Sequence, residues 1–260
     1  MGACMRKMDI PVDHGEPVDT RSVAAVALDF EDGHWVASHS HHKAQLLYAT
    51  QGVLVVGSAE GHWLVPGNRG LWIPPGVAHW TRMVGAVRIR TLYIDPALVA
   101  VPLPASCCVL GVSPLLRELI LAAVDISGLP APDSRDGRVM ALMLDELSQQ
   151  QVLALHLPQL HHRALQPLSQ QILLGQGLEL ELNDWAAQLN VNPKTLQRWF
   201  LRDTGMTFGK WRQQARLLTA LQRLALGRSV LEVALDVGYN TPSAFSAMFR
   251  RQFGVSPSEW

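Results

Sequence analysis

Two kinds of hydrophobic patterning divide the chain. In the front part, apolar residues come in short runs at 25–28, 44–50, 52–57, 61–65, 70–73, 79–83 and 87–94, each bounded by Gly, Pro or Asn. Runs punctuated in this way predict strands, and several at this spacing predict an all-β sandwich or barrel. Further along, apolar positions recur at intervals of three and four, the helical period. Leu115, Leu119, Ala122 and Ile126 mark a helix over 113–126, opened by Ser113 and Pro114, a cap followed by a proline in the first turn. Val139, Leu142, Met143, Leu147 and Val152 mark a second over 137–155, beyond the proline-bearing tract 128–134. Residues 156–163 read as a linker, and 167–175 as the first helix of the C-terminal part.

The last eighty or so residues repeat themselves. Phe200 and Phe249, Gly205 and Gly254, and Trp211 and Trp260 are each offset by 49 positions, whereas Val191 and Tyr239 are offset by 48, which places one extra residue in the second turn. Self-similarity of this kind marks a duplicated supersecondary unit. Each copy pairs a short apolar helix with a tight turn and a new helix opened by Asn and Pro. In the first copy Trp185, Ala186 and Leu189 share one face, and Leu196 and Phe200 point inward from the next helix. In the second copy, Val230, Val233, Ala234 and Val237 are followed by Phe245, Met248 and Phe249. The units are two helix-turn-helix candidates, at about 182–203 and 230–252.

The free faces of the second helices carry the candidate chemistry. Lys194, Thr195, Gln197 and Arg198 in one, and Ser243, Ser246 and Arg250 in the other, are groups that pair with base edges and phosphates in a major groove. A small trihelical unit with a solvated face also occurs without any ligand, and one copy alone would leave that alternative standing. Between the copies, Trp211, Ala215, Leu218, Leu221, Leu224 and Ala225 predict one helix over 208–226, with Gly227 as its C-terminal cap. About 18 residues make a rod of roughly 27 Å, near the roughly 34 Å between successive major-groove faces of a duplex.

Charge supports this division modestly. The chain balances 22 basic against 22 acidic residues, but from Arg163 onward there are 11 Lys and Arg against 7 Asp and Glu, a net of +4, and the front part carries −4. Such asymmetry suits a nucleic-acid module joined to an acidic partner domain. There is no run of about 18 apolar residues and no signal-peptide pattern, so a soluble, cytoplasmic protein without a membrane segment is expected. Cys4, Cys107 and Cys108 are odd in number, and the adjacent pair is poorly placed for a bridge, which fits a reducing compartment.

Residues 158–260 resemble the DNA-binding domain of the AraC/XylS family of bacterial transcription regulators. The resemblance is carried by the stretch from Gly238 through Ser246, by Phe249, Arg250 and Arg251, and by Phe253, Gly254, Ser256 and Pro257. It implies that Lys194, Thr195, Gln197 and Arg198 make the first helix's base and backbone contacts, and Thr241, Ser243, Ser246 and Arg250 those of the second. Many family members carry Arg where this chain has Ala247, and Ala makes no bidentate base contact. The first helix is therefore expected to supply most of the direct readout and the second to position itself on phosphate.

All ten histidines precede residue 163. The front segment resembles a cupin barrel, whose metal-binding members use a His-x-His pair, a Glu and a later His after a Pro-x-Gly turn. His39, His41 and His79 occupy the three His positions, and Gln45 stands where the Glu would be. The missing carboxylate weakens a metal site, although three imidazoles with a water suit Zn²⁺ or Ni²⁺. An organic effector contacting His39, His41, Gln45, Trp72 and His79 is the other reading, and purely structural histidines a third. Trp35, Trp63, Trp72 and Trp80 are candidates for the walls of such a pocket or for simple core.

The expected architecture is α+β with two domains: a cupin-like β-barrel at 1–105, a helical extension and linker at 106–157, and an all-α DNA-binding domain with two helix-turn-helix motifs at 158–260. The expected function is that of a non-enzymatic transcription regulator whose hold on double-stranded promoter DNA responds to a small-molecule effector. The family resemblance implies a homodimer, with the 113–126 stripe as the candidate contact; such stripes more usually pack within the chain. The alternative is a metal-dependent cupin enzyme or metal sensor fused to a DNA-binding domain, which Gln45 disfavours.

Overall fold

The computed structural model describes residues 12–13, 16–17, 23–67, 69–97, 103–153, 155–253 and 255–259. A two-residue antiparallel ladder, β1 (Val12–Asp13) with β2 (Glu16–Pro17), precedes a nine-stranded antiparallel sheet. Its strands are β3 (Val23–Phe30), β4 (Trp35–His39), β5 (Ala44–Ser58), β6 (Gly61–Pro66), β7 (Arg69–Ile73), β8 (His79–Ile94), β9 (Cys108–Gly111), β10 (Val152–Leu153) and β11 (His156–Pro158). The long strands β5 and β8 pair with each other along most of their length. β6 and β7 flank β5, and β3 and β4 pair with β8.

Two pairs of expected strands are each one strand. The runs 44–50 and 52–57 join as β5, and 79–83 and 87–94 join as β8. The glycines that suggested breaks are irregularities within the ladder: Gly52 has φ +77° and Gly85 φ +74°, and the β5–β8 register shifts around Gln51. A Cβ at Gly52 would stand 2.5 Å from the Ala86 carbonyl oxygen, so the two strands approach too closely there for a side chain.

Alternation sorts the sheet's side chains into two cores. Ala44, Leu46, Tyr48, Trp72, Leu92 and Ile94 pack beneath α1 (Pro114–Val124) and α2 (Arg135–Ser148), against Leu116, Ile120, Ala123, Met140, Met143 and Leu147. Ser113 caps α1 by accepting from the Leu116 amide at 3.0 Å, and Ser134 caps α2 by accepting from Gly137 at 3.0 Å. The second helix thus begins two residues before its expected start and ends at Ser148; the chain beyond it turns into β10. Of the stripe open to a contact with a second copy or to packing within the chain, Leu119 and Ile126 are buried within this core, and Leu115 remains exposed.

The opposite core runs without a break from the sheet into the helical unit. That unit comprises α3 (Gln166–Leu173), α4 (Leu182–Gln188), α5 (Pro193–Thr204), α6 (Phe208–Ala225), α7 (Val230–Asp236) and α8 (Pro242–Phe253), entered through a 3-10 turn at Arg163–Leu165. Trp185, Phe200, Phe208 and Trp211 meet ring to ring between α4, α5 and α6, and Phe245 and Phe249 anchor α8. Asn192 caps α5 through Oδ1, as its sequence position suggested, but α8 is capped by Thr241, whose Oγ1 accepts from the Ala244 amide at 3.2 Å, rather than by Asn240.

The expected linker at 156–163 is not a free tether. β11 pairs with β6, matching His156 to Trp63 and Pro158 to Gly61, and Leu157 and Leu160 are buried. Burying such a leucine contributes about 1.5–3 kcal/mol, so this connection is part of the core. His162 stacks on Trp199 of α5 at a centroid distance of 3.6 Å, and its amide donates to Asp203 at 2.7 Å. With β9, β10 and β11 all in the sheet, the sheet extends through Pro158, well past residue 105. No helix among the described residues is long and apolar enough to cross a membrane.

Candidate nucleic-acid interface and effector site

On α5, burial follows the helical period. Leu196 and Phe200 are fully buried, which turns Lys194 and Arg198 into solvent, with Thr195 and Gln197 partly exposed beside them. On α8 the same logic buries Phe245, Met248 and Phe249 and leaves Ser243, Ala247 and Arg250 exposed, with Ser246 partly so. The Thr241 oxygen is engaged as the helix cap, so its hydroxyl hydrogen is what it has left to offer an oxygen outside the chain.

Not all of the basic residues in this unit are available to a partner. Arg212 of α6 donates to the Leu180 carbonyl and pairs with Glu181 at 2.9 Å. Arg216 donates to the Leu178 carbonyl at 2.9 Å and lies against Gly238, and Arg223 pairs with Asp236 at 2.7 Å. These three guanidinium groups fasten the turn before α4 and the turn after α7 to one rod. Burial is the main influence holding the Arg216 pKa below its usual value, followed by the neighbouring Arg212. Exposed cations in the unit include Lys194, Arg198, Arg202, Lys210, Arg228, Arg250 and Arg251.

In the sheet domain, His39, His41 and His79 come together, each offering a ring nitrogen within 4.8 Å of the others. The rings are inclined to one another by 53–68° but are tethered alike. His39 Nδ1 lies 2.8 Å from the Ala37 carbonyl, His41 Nδ1 2.9 Å from that of Lys43, and His79 Nδ1 2.9 Å from that of Val77. A carbonyl only accepts, so each Nδ1 carries the hydrogen and each Nε2 of a neutral ring keeps its lone pair. Burial, then the adjacent His39 and His41, push the pKa of His79 down to about 4, although its bond to Val77 opposes this. That ring is neutral at ordinary pH.

Gln45 sits among them, its amide 3.0 Å from His41 Nε2 on one side and 3.1 Å from both Thr91 Oγ1 and Tyr93 OH on the other. An amide oxygen facing a bare Nε2 would set lone pair against lone pair. Turning the amide by half a turn lets its NH₂ donate to His41 and its oxygen accept from the two hydroxyls, the arrangement consistent with a neutral ring. Trp72 is not part of this group. It lies on the sheet face beneath α1, with Nε1 donating to the Pro104 carbonyl at 2.8 Å, because residues one apart in a strand face opposite ways and Gln45 pairs with Ile73. Trp63 is likewise buried, stacked on His156, whereas Trp35 and Trp80 stack on each other at 4.5 Å.

A family model described as an AraC-like ligand binding domain matches residues 25–189, and one described as a helix-turn-helix domain matches residues 185–260. The chain is 33% identical over 222 residues to the HTH-type transcriptional regulator NimR of Escherichia coli (strain K12), a match that covers 85% of this chain and 81% of that one. The chain belongs to the AraC/XylS family. As an AraC/XylS regulator it controls transcription, with a ligand-binding domain in front of a DNA-binding helix-turn-helix domain. Its last part is also similar to the regulatory protein SoxS of Escherichia coli (strain K12), 41% identical over 66 residues, or 25% of this chain and 62% of that one. Among solved structures, ToxT of Vibrio cholerae aligns over 92% of this chain and 97% of that one, at 10% identity and a TM-score of 0.36, too loose a likeness to carry an argument.

Some working parts of this AraC/XylS regulator escaped the sequence reading. Thr91 and Tyr93, the partners of Gln45, had a signal, since they continue at every second position the face of β8 that Val87 and Ile89 make apolar. The fastening role of Arg212, Arg216 and Arg223 had none, because they bond to backbone carbonyls far away in sequence. Cys107 and Cys108 are half-buried free thiols whose pKa values are pushed up to about 12 and about 11, chiefly by burial, which favours the protonated thiol over the thiolate. Cys4 lies outside the described residues.

Proposed function

We propose that the regulator reads promoter DNA mainly through Lys194, Thr195, Gln197 and Arg198 on α5, while Thr241, Ser243, Ser246 and Arg250 seat α8 on the phosphate backbone. In this reading α4–α5 and α7–α8 are two helix-turn-helix units. The supporting observation is the contrast between the two outward faces: α5 presents exposed Lys194 and Arg198 with Gln197, and α8 presents Ala247 flanked by serines. The test is fluorescence anisotropy on duplexes tiled upstream of the regulator's own gene. Arg198→Ala is expected to weaken the preferred duplex by about 1–3 kcal/mol and relax base preference at one position, whereas Ala247→Gly has little effect. Equal losses would contradict the division of labour.

The sheet domain, read as a cupin-like barrel, is the effector sensor, and the protein is a cytoplasmic regulator without catalytic activity of its own. A ligand regulates by binding one arrangement of the chain better than another. A second copy would meet this one through what α1 and α2 leave outside, Leu115 and Leu142, and sedimentation at micromolar concentration tests that pairing.

A second reading of the sensor, as a metal site, is favoured by one observation. Three Nδ1–H groups tied to backbone carbonyls, which leave Nε2 as the ligand atom of each ring, are how metal-bound histidines are usually braced, although His41 Nε2 would first have to give up its bond to Gln45. Nitrogens sharing one tetrahedral zinc stand about 3.3 Å apart, so modest ring rotations would let His39, His41 and His79 hold Zn²⁺ or Ni²⁺. A bound cation would supply a Lewis-acidic anchor for an effector oxygen or nitrogen. Metal analysis of untagged protein tests this: one equivalent, lost in His39→Ala, supports the site, and no uptake from a metal buffer removes it.

A further inference from the structure

Where the sheet meets α3, the surface opens into a cleft of about 720 Å³, within the range of small-molecule sites. One wall comes from the sheet domain, with Trp35, His62 and Trp80. The other comes from the connection and α3, with Gln159, Gln166 and Gln170. The cleft is separate from the Nε2 cluster of His39, His41 and His79, none of which lines it.

Three features distinguish it from an incidental gap. Trp35 and Trp80 are stacked with their planes 19° apart, yet Trp35 is 51% exposed and Leu174 across the cleft 72% exposed. Large apolar surface facing an opening marks a binding site more often than scattered exposure does. Gly57 lies directly under the Trp80 ring, which a Cβ there would overlap, so the backbone accommodates this placement of the indole. Among the described residues, finally, the side-chain amides of Gln159, Gln166 and Gln170 make no hydrogen bond within the chain. They are donors and acceptors held at the rim of an apolar floor.

We infer that this cleft binds an uncharged, planar heteroaromatic small molecule, stacked on the Trp35–Trp80 pair and hydrogen-bonded by His62 and the amides of α3. The chemistry follows from the lining. A flat aromatic floor selects a flat aromatic ligand, and amides pair with ring nitrogens and carbonyls in either sense. Among the described residues no Asp, Glu, Lys or Arg lines the cleft, whose titratable groups are the imidazoles of His62 and His161, so an ionic ligand would lose water without gaining a permanent counter-charge. Burial and the neighbouring His156 hold the His62 pKa down at about 4, which keeps that ring neutral as well. Because its walls belong to the sensor and to the first helix of the DNA-binding unit, such a ligand favours the arrangement that holds them at this separation. α3 packs in turn on α6, between the two proposed reading helices.

The inference rests on the effector-responsive reading above, and its test separates the two. The full chain is titrated with caffeine and quinazolin-4-one as uncharged planar probes, and with indole-3-acetate and cyclohexylurea as anionic and non-planar controls, followed by tryptophan fluorescence and saturation-transfer NMR. Fragments of this size are expected to bind with Kd of about 1 mM. Trp35→Ala on one wall and Gln170→Leu on the other are each expected to weaken them roughly tenfold, with operator binding by the probe-free protein unchanged. Absence of saturable binding, equal binding by the controls, or equal binding by both variants overturns the cleft assignment. Retained operator binding in those cases leaves the regulator reading intact, whereas its loss in the wild-type chain would remove that reading instead.

Discussion

Trp211 Nε1 donates to the carbonyl oxygen of Pro158 at 3.0 Å, which bonds α6, the helix between the α4–α5 and α7–α8 pairs, to the last strand of the sheet. Both residues lie where one continuous core joins sheet to helices, with Trp211 fully buried. Trp211→Phe keeps most of the apolar volume but removes this hydrogen bond to a partly buried carbonyl. The expected cost is about 0.5–1.5 kcal/mol, read as a lower urea midpoint with an unchanged slope. A changed slope or two separate transitions would mean that the sheet and the helices unfold independently.

Gly238 has φ +80°, and a Cβ there would stand 2.7 Å from an Arg216 guanidinium nitrogen. Gly238→Ala is therefore doubly penalised, by left-handed strain and by displacement of the group that donates to Leu178. A loss of about 1–3 kcal/mol in stability is expected, with weaker operator binding because the α7–α8 pair loses its fastening. Arg216→Ala in the same background should add less than it does alone, since both changes act on one contact.

Seating on phosphate has its own signature. Arg250→Ala is expected to weaken all duplexes about equally and to reduce the slope of log affinity against log salt by about 1. Loss confined to one sequence would make Arg250 a base reader.

Acid should loosen the junction between the sheet and the helices. The folded pKa of His62 is about 4, depressed mainly by burial and then by His156, against 6.5 for a free side chain. A histidine depressed in this way contributes stability that is intact above about pH 6.5 and declines as pH falls toward 4, because the unfolded chain takes up the proton first. His79 and His156 are shifted in the same direction. Melting temperature measured between pH 7 and 5 should fall less in His62→Gln than in the wild type; parallel curves would show that His62 charges without cost.

Much of the helical unit was legible because local chemistry and tertiary packing agree there. Leu196 and Phe200, or Phe245 and Phe249, are spaced for burial in a helix and are buried. The same agreement brought His39, His41, Gln45 and His79 to one place. What the pattern concealed was decided by distant pairing. Gly52 and Gly85 resemble turn residues until a neighbouring strand turns them into bulges. The segment at 156–158, with a histidine and a proline, has no strand signal of its own and becomes β11 only because β6 offers a free edge. Trp72 escaped correct placement for a similar reason, since which side of a strand faces a ligand depends on register.

The rod α6 has two employers. One side of it completes the sensor's interior against β6 and β11, and its guanidinium groups set where the two reading units stand. Coupling between binding sites is reciprocal, so on the proposed reading a promoter whose half-sites pull those units out of their resting separation would also strain the sensor. The spacing of an operator would then act on this regulator as a second effector, tuning how readily the other one is held.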